Sequence, residues 1–173
     1  MSERRTEAEL VAQLAAAFPE LEGKIRIARV RRVWAEVEEA SFRAVLEKAV
    51  KELGFIILCL ITGLDEGESL GFIYHLADLS GTMLNLHTLA PKSAPKIRTV
   101  TDLFPTAHIY ERELVDLFGA VVEGLPEGNR YPLPDGWPEG QYPLRKDWDA
   151  TVLDKPAAPA SGERPAASGG EGS

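Results

Sequence analysis

Residues 55–89 read FIILCLITGLDEGESLGFIYHLADLSGTMLNLHTL, and how this stretch folds decides the architecture of the chain. Its opening run, FIILCLIT, is apolar on both alternating faces, which predicts a central strand covered on both sides. The turn-forming ITGLDEG follows, a polar connection in which glycine and aspartate need no other reason. LGFIYHLA and TMLNLHTL, joined through DLSG, then read as a β-hairpin. With Ser80 and Gly81 as a two-residue turn, Tyr74 pairs with His87 and His75 with Leu86. That register sends the two histidines to opposite faces, where they cannot share an ion. Cys59 lies inside the first run and is expected to be a buried, inert thiol. As the single cysteine it excludes an intrachain disulfide and an iron–sulfur cluster held by this chain alone.

Upstream, Leu10, Val11, Leu14 and Phe18 recur at helical spacing over residues 6–18, and Pro19 and Gly23 end that helix. Residues 24–37 predict one strand or a small hairpin. Within it KIRIARVRR carries five basic residues on both faces, as suits a solvated or edge strand. A second amphipathic helix presents Phe42, Val45, Leu46, Ala49, Val50 and Leu53, and Gly54 closes it. Helix, strand, helix and then several strands predict an α+β fold, a mixed sheet with helices packed on one face. After Pro91 only TAHIYERELVDLF keeps helical periodicity, and its neighbours read as extended loops. The expected division is one domain over residues 1–148 and a disordered low-complexity tail over 149–173.

A composition of 45% hydrophobic and 27% charged residues is that of a globular protein, and no apolar run approaches the length of a membrane span. The N-terminal MSERRTEAEL has no apolar targeting core, so the cytoplasm is the expected compartment. A net charge of -8 argues against nucleic acid as a partner, because phosphate binding needs a basic surface. Phosphate-cradling glycine loops and a nucleophile elbow are missing from the sequence.

The chemistry-bearing residues cluster in HIYERELVDLFG, residues 108–119. On a helix Glu111 and Glu113 point about 200° apart and cannot act as a carboxylate pair, while Arg112 and Asp116 are neighbours four residues apart. Carboxylates beside an arginine stay ionised, which prepares them for ion pairing and not for general acid work. Tyr110, Leu114, Leu117 and Phe118 form the packing stripe, and His108 sits where capping or exposure explains it. Further on, RYPLPDGWPEGQYPLRKDW is too rich in proline for a helix or a central strand. It lies along its own domain or against a partner. Arg145 forking onto Glu111, Glu113 or Asp116 would clamp it to the helix. Three uses of these residues stay open: docking to a partner, an intramolecular clamp in a structural adaptor, or an acidic-site enzyme using His108, Glu113 and Asp116.

Taken together, YERELVDLFG, EGLPEGNRYPLP and WPEGQYPLRKDW resemble the signature of the NuoC-like family of respiratory complex I, the proton-pumping NADH:quinone oxidoreductase. Membrane-bound energy-converting nickel–iron hydrogenases share that family. Its pattern runs E-R-E-x-x-D-x-x-G, then G-H-P, then P-L-R-K-D. Glu111, Arg112, Glu113, Asp116, Gly119, Gly124, Pro126, Arg130, Pro143, Leu144, Arg145, Lys146 and Asp147 fall on it in order, with Leu125 in place of the usual histidine. The resemblance implies a cofactor-free accessory subunit on the cytoplasmic side of the membrane. Its implied partners are the hydrogenase-large-subunit-like and small-subunit-like proteins of the same complex, through which any membrane contact would be indirect. No catalytic or metal-binding residue is implied. The expected interface comprises Tyr110, Glu111, Arg112, Glu113, Asp116, Arg130, Trp137, Arg145, Lys146 and Asp147.

Overall fold

A computed structural model describes residues 5–154 of the 173. Helix α1 (Glu7–Ala17) starts at a capping box in which Thr6 accepts from the Glu9 backbone and the Glu9 carboxylate accepts from the Thr6 N–H. A short 3₁₀ turn at Pro19–Leu21 leads into the hairpin β1 (Ile25–Arg29) and β2 (Arg32–Glu36), whose tip holds Arg31 at φ 60°. Helix α2 (Glu39–Lys51) follows, then β3 (Ile57–Asp65), β4 (Ser69–Ala77) and β5 (Met83–Pro91). The strand order is β1-β2-β5-β4-β3, with β2 parallel to β5 and the other pairs antiparallel. This is the mixed α+β sheet expected from the order of elements.

One sheet face carries the core. Val33, Ala35, Leu84, Leu86, Leu70, Phe72, Tyr74 and Leu76 alternate inward along β2, β5 and β4 and are buried beneath the helices. Phe42 of α2 meets the Tyr74 ring at 4.6 Å, and Leu10 and Leu14 of α1 are fully buried. The opposite face has no helix over it among the described residues.

That asymmetry corrects the reading of FIILCLIT. β3 pairs only with β4 and so forms an edge of the sheet, covered on one face. Its outward residues Ile57, Leu60 and Leu64 are 41%, 41% and 40% exposed, and Cys59 is exposed at a bulge in the β3–β4 ladder. The hairpin register is corrected as well. Asp78 caps a longer connection by accepting from the N–H groups of Ser80 and Thr82, so Tyr74 pairs with Leu86, His75 with Asn85 and Ile73 with His87. A shift of one residue reverses the face of one whole strand relative to the other, and both histidines lie on the open face. There His75 bridges Asn85 (Nδ1 to Oδ1, 2.7 Å) and Thr62 (Nε2 to Oγ1, 3.0 Å), while His87 Nε2 meets Glu66 Oε1 at 2.9 Å.

The helix after Pro91 is flanked by short strands, where the sequence reads as extended loops. β6 (Lys96–Arg98) and β7 (Val121–Glu123) form a parallel pair, and α3 (Ala107–Phe118) is the crossover that parallel pairing requires. α3 lies on β3 at Gly63, where an added Cβ would come within 2.5 Å of the Phe118 ring and 2.8 Å of Leu114 Cδ2. The five residues Ala150–Asp154 form a 3₁₀ turn; from 155 onward the expected disordered tail lies outside the described residues. Among the described residues no helix is long and apolar enough to cross a membrane.

The close approach at Gly63 is testable. Gly63→Val should destabilise the chain by about 1–3 kcal/mol in urea unfolding, as expected for overpacking. Gly136→Ala, at a position with no atom within 4 Å of the added Cβ, should leave the midpoint unchanged.

Candidate partner interface at the charged helix and C-terminal segment

α3 ends at Gly119, whose φ of 70° is left-handed, and its last carbonyls accept from Gly119 N–H (Val115, 3.0 Å) and Ala120 N–H (Leu114, 3.2 Å). A Cβ at Gly119 would also strike the Tyr142 ring at 2.5 Å. Conformation and space both demand glycine here. The extended segment completes the helix end: Leu144 N–H donates to the Leu117 carbonyl at 3.1 Å and Arg145 Nε to the Phe118 carbonyl at 2.7 Å. These satisfy acceptors that a helix C-terminus leaves open, and the arginine charge suits the negative end of the helix dipole.

The charged side chains of α3 serve distinct purposes. Glu111 is wholly buried. Its Oε1 accepts from Val100 N–H at 2.7 Å and its Oε2 from the Thr99 hydroxyl at 2.6 Å, tying α3 to the chain leaving β6. Burial outweighs these bonds and pushes its pKa up. Arg112 does not pair with Asp116; it donates to the carbonyls of Pro126 (2.6 Å) and Asn129 (3.4 Å). Asp116 is 6% exposed, accepts from Arg130 Nε at 3.0 Å and Leu133 N–H at 3.2 Å, and Arg130 goes on to the Trp137 carbonyl at 2.9 Å. A clamp between helix and segment is therefore present, with Arg130 in the place expected for Arg145. Arg145 instead lies over the Tyr142 ring, 4.6 Å from its centroid.

Asp65 is a second anchor. Its carboxylate accepts from Lys92 Nζ (2.7 Å), Lys146 N–H (2.8 Å) and Gly67 N–H (2.9 Å), while Lys92 also meets Asp147 at 2.7 Å. The Lys92 ammonium first, then the two backbone donors, hold Asp65 far below the usual carboxylate range. In the sequence Asp65 reads as one more turn residue, and no local signal marks its partners 27 and 81 residues away. Trp137 Nε1 donates to the Gln141 carbonyl (2.9 Å), and Trp148 Nε1 to Gln141 Oε1 (3.0 Å), which folds the segment over itself.

Of the ten expected interface residues, Glu111, Arg112, Asp116, Arg130, Trp137 and Arg145 engage the chain's own groups. Tyr110 does so through its hydroxyl, which donates to the Cys59 carbonyl at 3.0 Å. Asp147, though largely exposed, does so through Lys92 at 2.7 Å, whereas the Lys146 side chain is exposed and Glu113 is half-buried. His108 bonds the Pro105 carbonyl at 2.8 Å and stands eight residues, about 12 Å of helix, from Asp116. Those two groups cannot exchange a proton directly. Among the described residues no group of three or more His, Cys, Asp or Glu is placed to hold a metal ion.

Residues 35–152 match the family described as "Respiratory-chain NADH dehydrogenase, 30 Kd subunit". Membrane-bound hydrogenase subunit beta of Pyrococcus furiosus is 32% identical over 151 residues, covering 82% of this chain and 86% of the relative. A subunit of the F(420)H(2) dehydrogenase of Methanosarcina mazei is 31% identical over 143 residues, covering 81% and 90%. A chain in the structure of the membrane-bound sulfane sulfur reductase, an archaeal respiratory membrane complex, superposes with a TM-score of 0.74 at 29% identity over 85% of this chain and 88% of its own length.

Two variants test these roles. Asp116→Ala should cost about 2 kcal/mol, the scale of a lost hydrogen bond to a charged group, and should open residues 130–137 to limited proteolysis. For Glu111 the raised pKa means that the folded chain binds the proton more tightly than the unfolded chain. Its contribution to stability is complete below the ordinary glutamate range and is lost as pH rises through the raised value. Urea midpoints between about pH 4 and pH 7 should therefore move in favour of Glu111→Gln as pH increases.

Proposed function

The chain belongs to the 30 Kd subunit family of respiratory-chain NADH dehydrogenase, and on that premise we propose that it is an accessory docking subunit of a complex-I-type oxidoreductase or a related membrane-bound energy-converting hydrogenase. It binds the hydrogenase-large-subunit-like protein of that complex, with the small-subunit-like protein adjacent, and sits on the cytoplasmic side of the membrane. Electrons pass through those neighbours.

The observation that carries this reading is the similarity, along four-fifths of the chain and most of two relatives, to proteins named as a membrane-bound hydrogenase subunit and an F(420)H(2) dehydrogenase subunit. The geometry agrees with it. The motif carboxylates and arginines are occupied in fastening α3 and the extended segment into one rigid surface. Glu113 and the Lys146 side chain at its margin are left to meet another protein. Rigid, prearranged surfaces lose less freedom on association. The extent of the match to the hydrogenase and F(420)H(2) dehydrogenase relatives favours a parent complex of that type.

Purification through a tag on this chain, from cells that make the whole complex, should yield the large-subunit-like protein in a 1:1 ratio. The lone chain should show no redox absorbance and no turnover. Recovery of the chain by itself under mild conditions would refute the docking role.

A further inference from the structure

The open face of the sheet is built like an interface that the chain does not cover. Ile57, Leu60 and Leu64 of β3 and Leu89 of β5 point outward at 40–46% exposure, and Leu64 and Leu89 flank Gly71 of β4. A solvated antiparallel face alternates toward polar residues. This one keeps exposed leucines along its β3 side, interrupted by the Thr62–His75–Asn85 bonds and by the Glu66–His87 pair over Gly71, and apolar side chains exposed on a sheet face mark contact sites. Residues 155–173 contain no Leu, Ile, Val, Met or aromatic residue.

Charge on the same face is polarised. At one end Arg26 lies over the Trp34 ring, 5.2 Å from its centroid, and Arg32 contacts Met83. At the other end a recess of about 410 Å³ is lined by Glu36, Glu38, Glu39 and Glu66, with Lys24, Val37, His87 and Leu89. Four carboxylates face one lysine, and that lysine is already bonded to Glu38 at 2.6 Å. We propose that this open face is a second docking surface, occupied by a segment of another subunit that lays an apolar strip across Leu60, Leu64 and Leu89. A basic side chain of that segment enters the glutamate-lined recess. An anionic lipid surface is the wrong partner for such a recess, because like charges oppose at contact. The inference rests on the docking role given above and adds a surface distinct from α3 and the extended segment.

The test is purification of the intact complex through tagged full-length variants. Leu60→Asp/Leu89→Asp and Glu36→Lys/Glu66→Lys should each reduce the co-purifying partner about tenfold or more, the scale of lost anchor residues. Because Glu66 is bonded to His87, the single variant Glu36→Lys, at an exposed carboxylate, serves as the control: it should keep the wild-type melting profile and still lose partner, so that loss reads association and not folding. Undiminished co-purification with both pairs, alongside loss with Glu113→Lys/Lys146→Glu, would overturn the open-face surface while leaving the docking role standing. Failure of the wild-type chain to bring down any other protein of the complex would remove the docking role and this surface with it. A wild-type dimer that Leu89→Asp converts to monomer, with assembly unaffected, would assign the face to a second copy of the chain and overturn the proposal.

Discussion

A proline-rich segment cannot hydrogen-bond to itself in a helix or a sheet, so its polar groups must be satisfied by the surface it crosses. Between Arg130 and Trp148 that surface is the C-terminal half of α3 together with Asp65. Asp116 takes Arg130 and the Leu133 N–H, the Leu117 and Phe118 carbonyls take Leu144 N–H and Arg145 Nε, and Asp65 takes the Lys146 N–H. The arrangement depends in turn on where α3 lies. Gly63 lets the helix approach β3, Gly119 lets the chain turn under Tyr142, and Glu111 fixes the N-terminal half through Thr99 and Val100. Helix, edge strand and segment therefore form one mechanical unit.

This changes the meaning of the charges that stand out in the sequence. Ion pairs at an exposed surface contribute little, whereas hydrogen-bonded carboxylates sheltered from water fix geometry and are costly to leave unpaired. Glu111 and Asp116 are of the sheltered kind, at 0% and 6% exposure. Their service is to give the chain a defined outer shape. The relatives in Pyrococcus and Methanosarcina are named as a membrane-bound hydrogenase subunit and an F(420)H(2) dehydrogenase subunit.

The sequence exposes periodicity and local capping, and those parts of the fold were legible: the faces of α1 and α2, the stop at Gly54, the β4–β5 hairpin and the mixed sheet. It does not expose which strand lies at an edge. FIILCLIT carries apolar residues on two faces for two different reasons, α3 on one side and an uncovered surface on the other, and composition cannot separate them. The connection Asp78–Thr82 was misread by a single residue because Asp78 gathers the N–H groups of both Ser80 and Thr82, a choice of turn that Ser80-Gly81 alone does not reveal. At the site, helical spacing placed Arg112 beside Asp116. The nearby carbonyls of Pro126 and Asn129, supplied by a loop, won that arginine instead. Asp65 and Lys92 were invisible for the same reason: their value comes from contacts far along the chain.

The carboxylate of Asp65 joins residues 65, 92 and 146, and the last of these bonds closes a span of 81 residues. On a ribosome, Asp65 and Lys92 emerge while the strap is still unsynthesised, so their pairing can shelter the carboxylate until Lys146 arrives. The carboxylate that anchors the segment is thus held by a partner 27 residues away in sequence as well as by one 81 residues away, so the anchor does not depend on the segment alone.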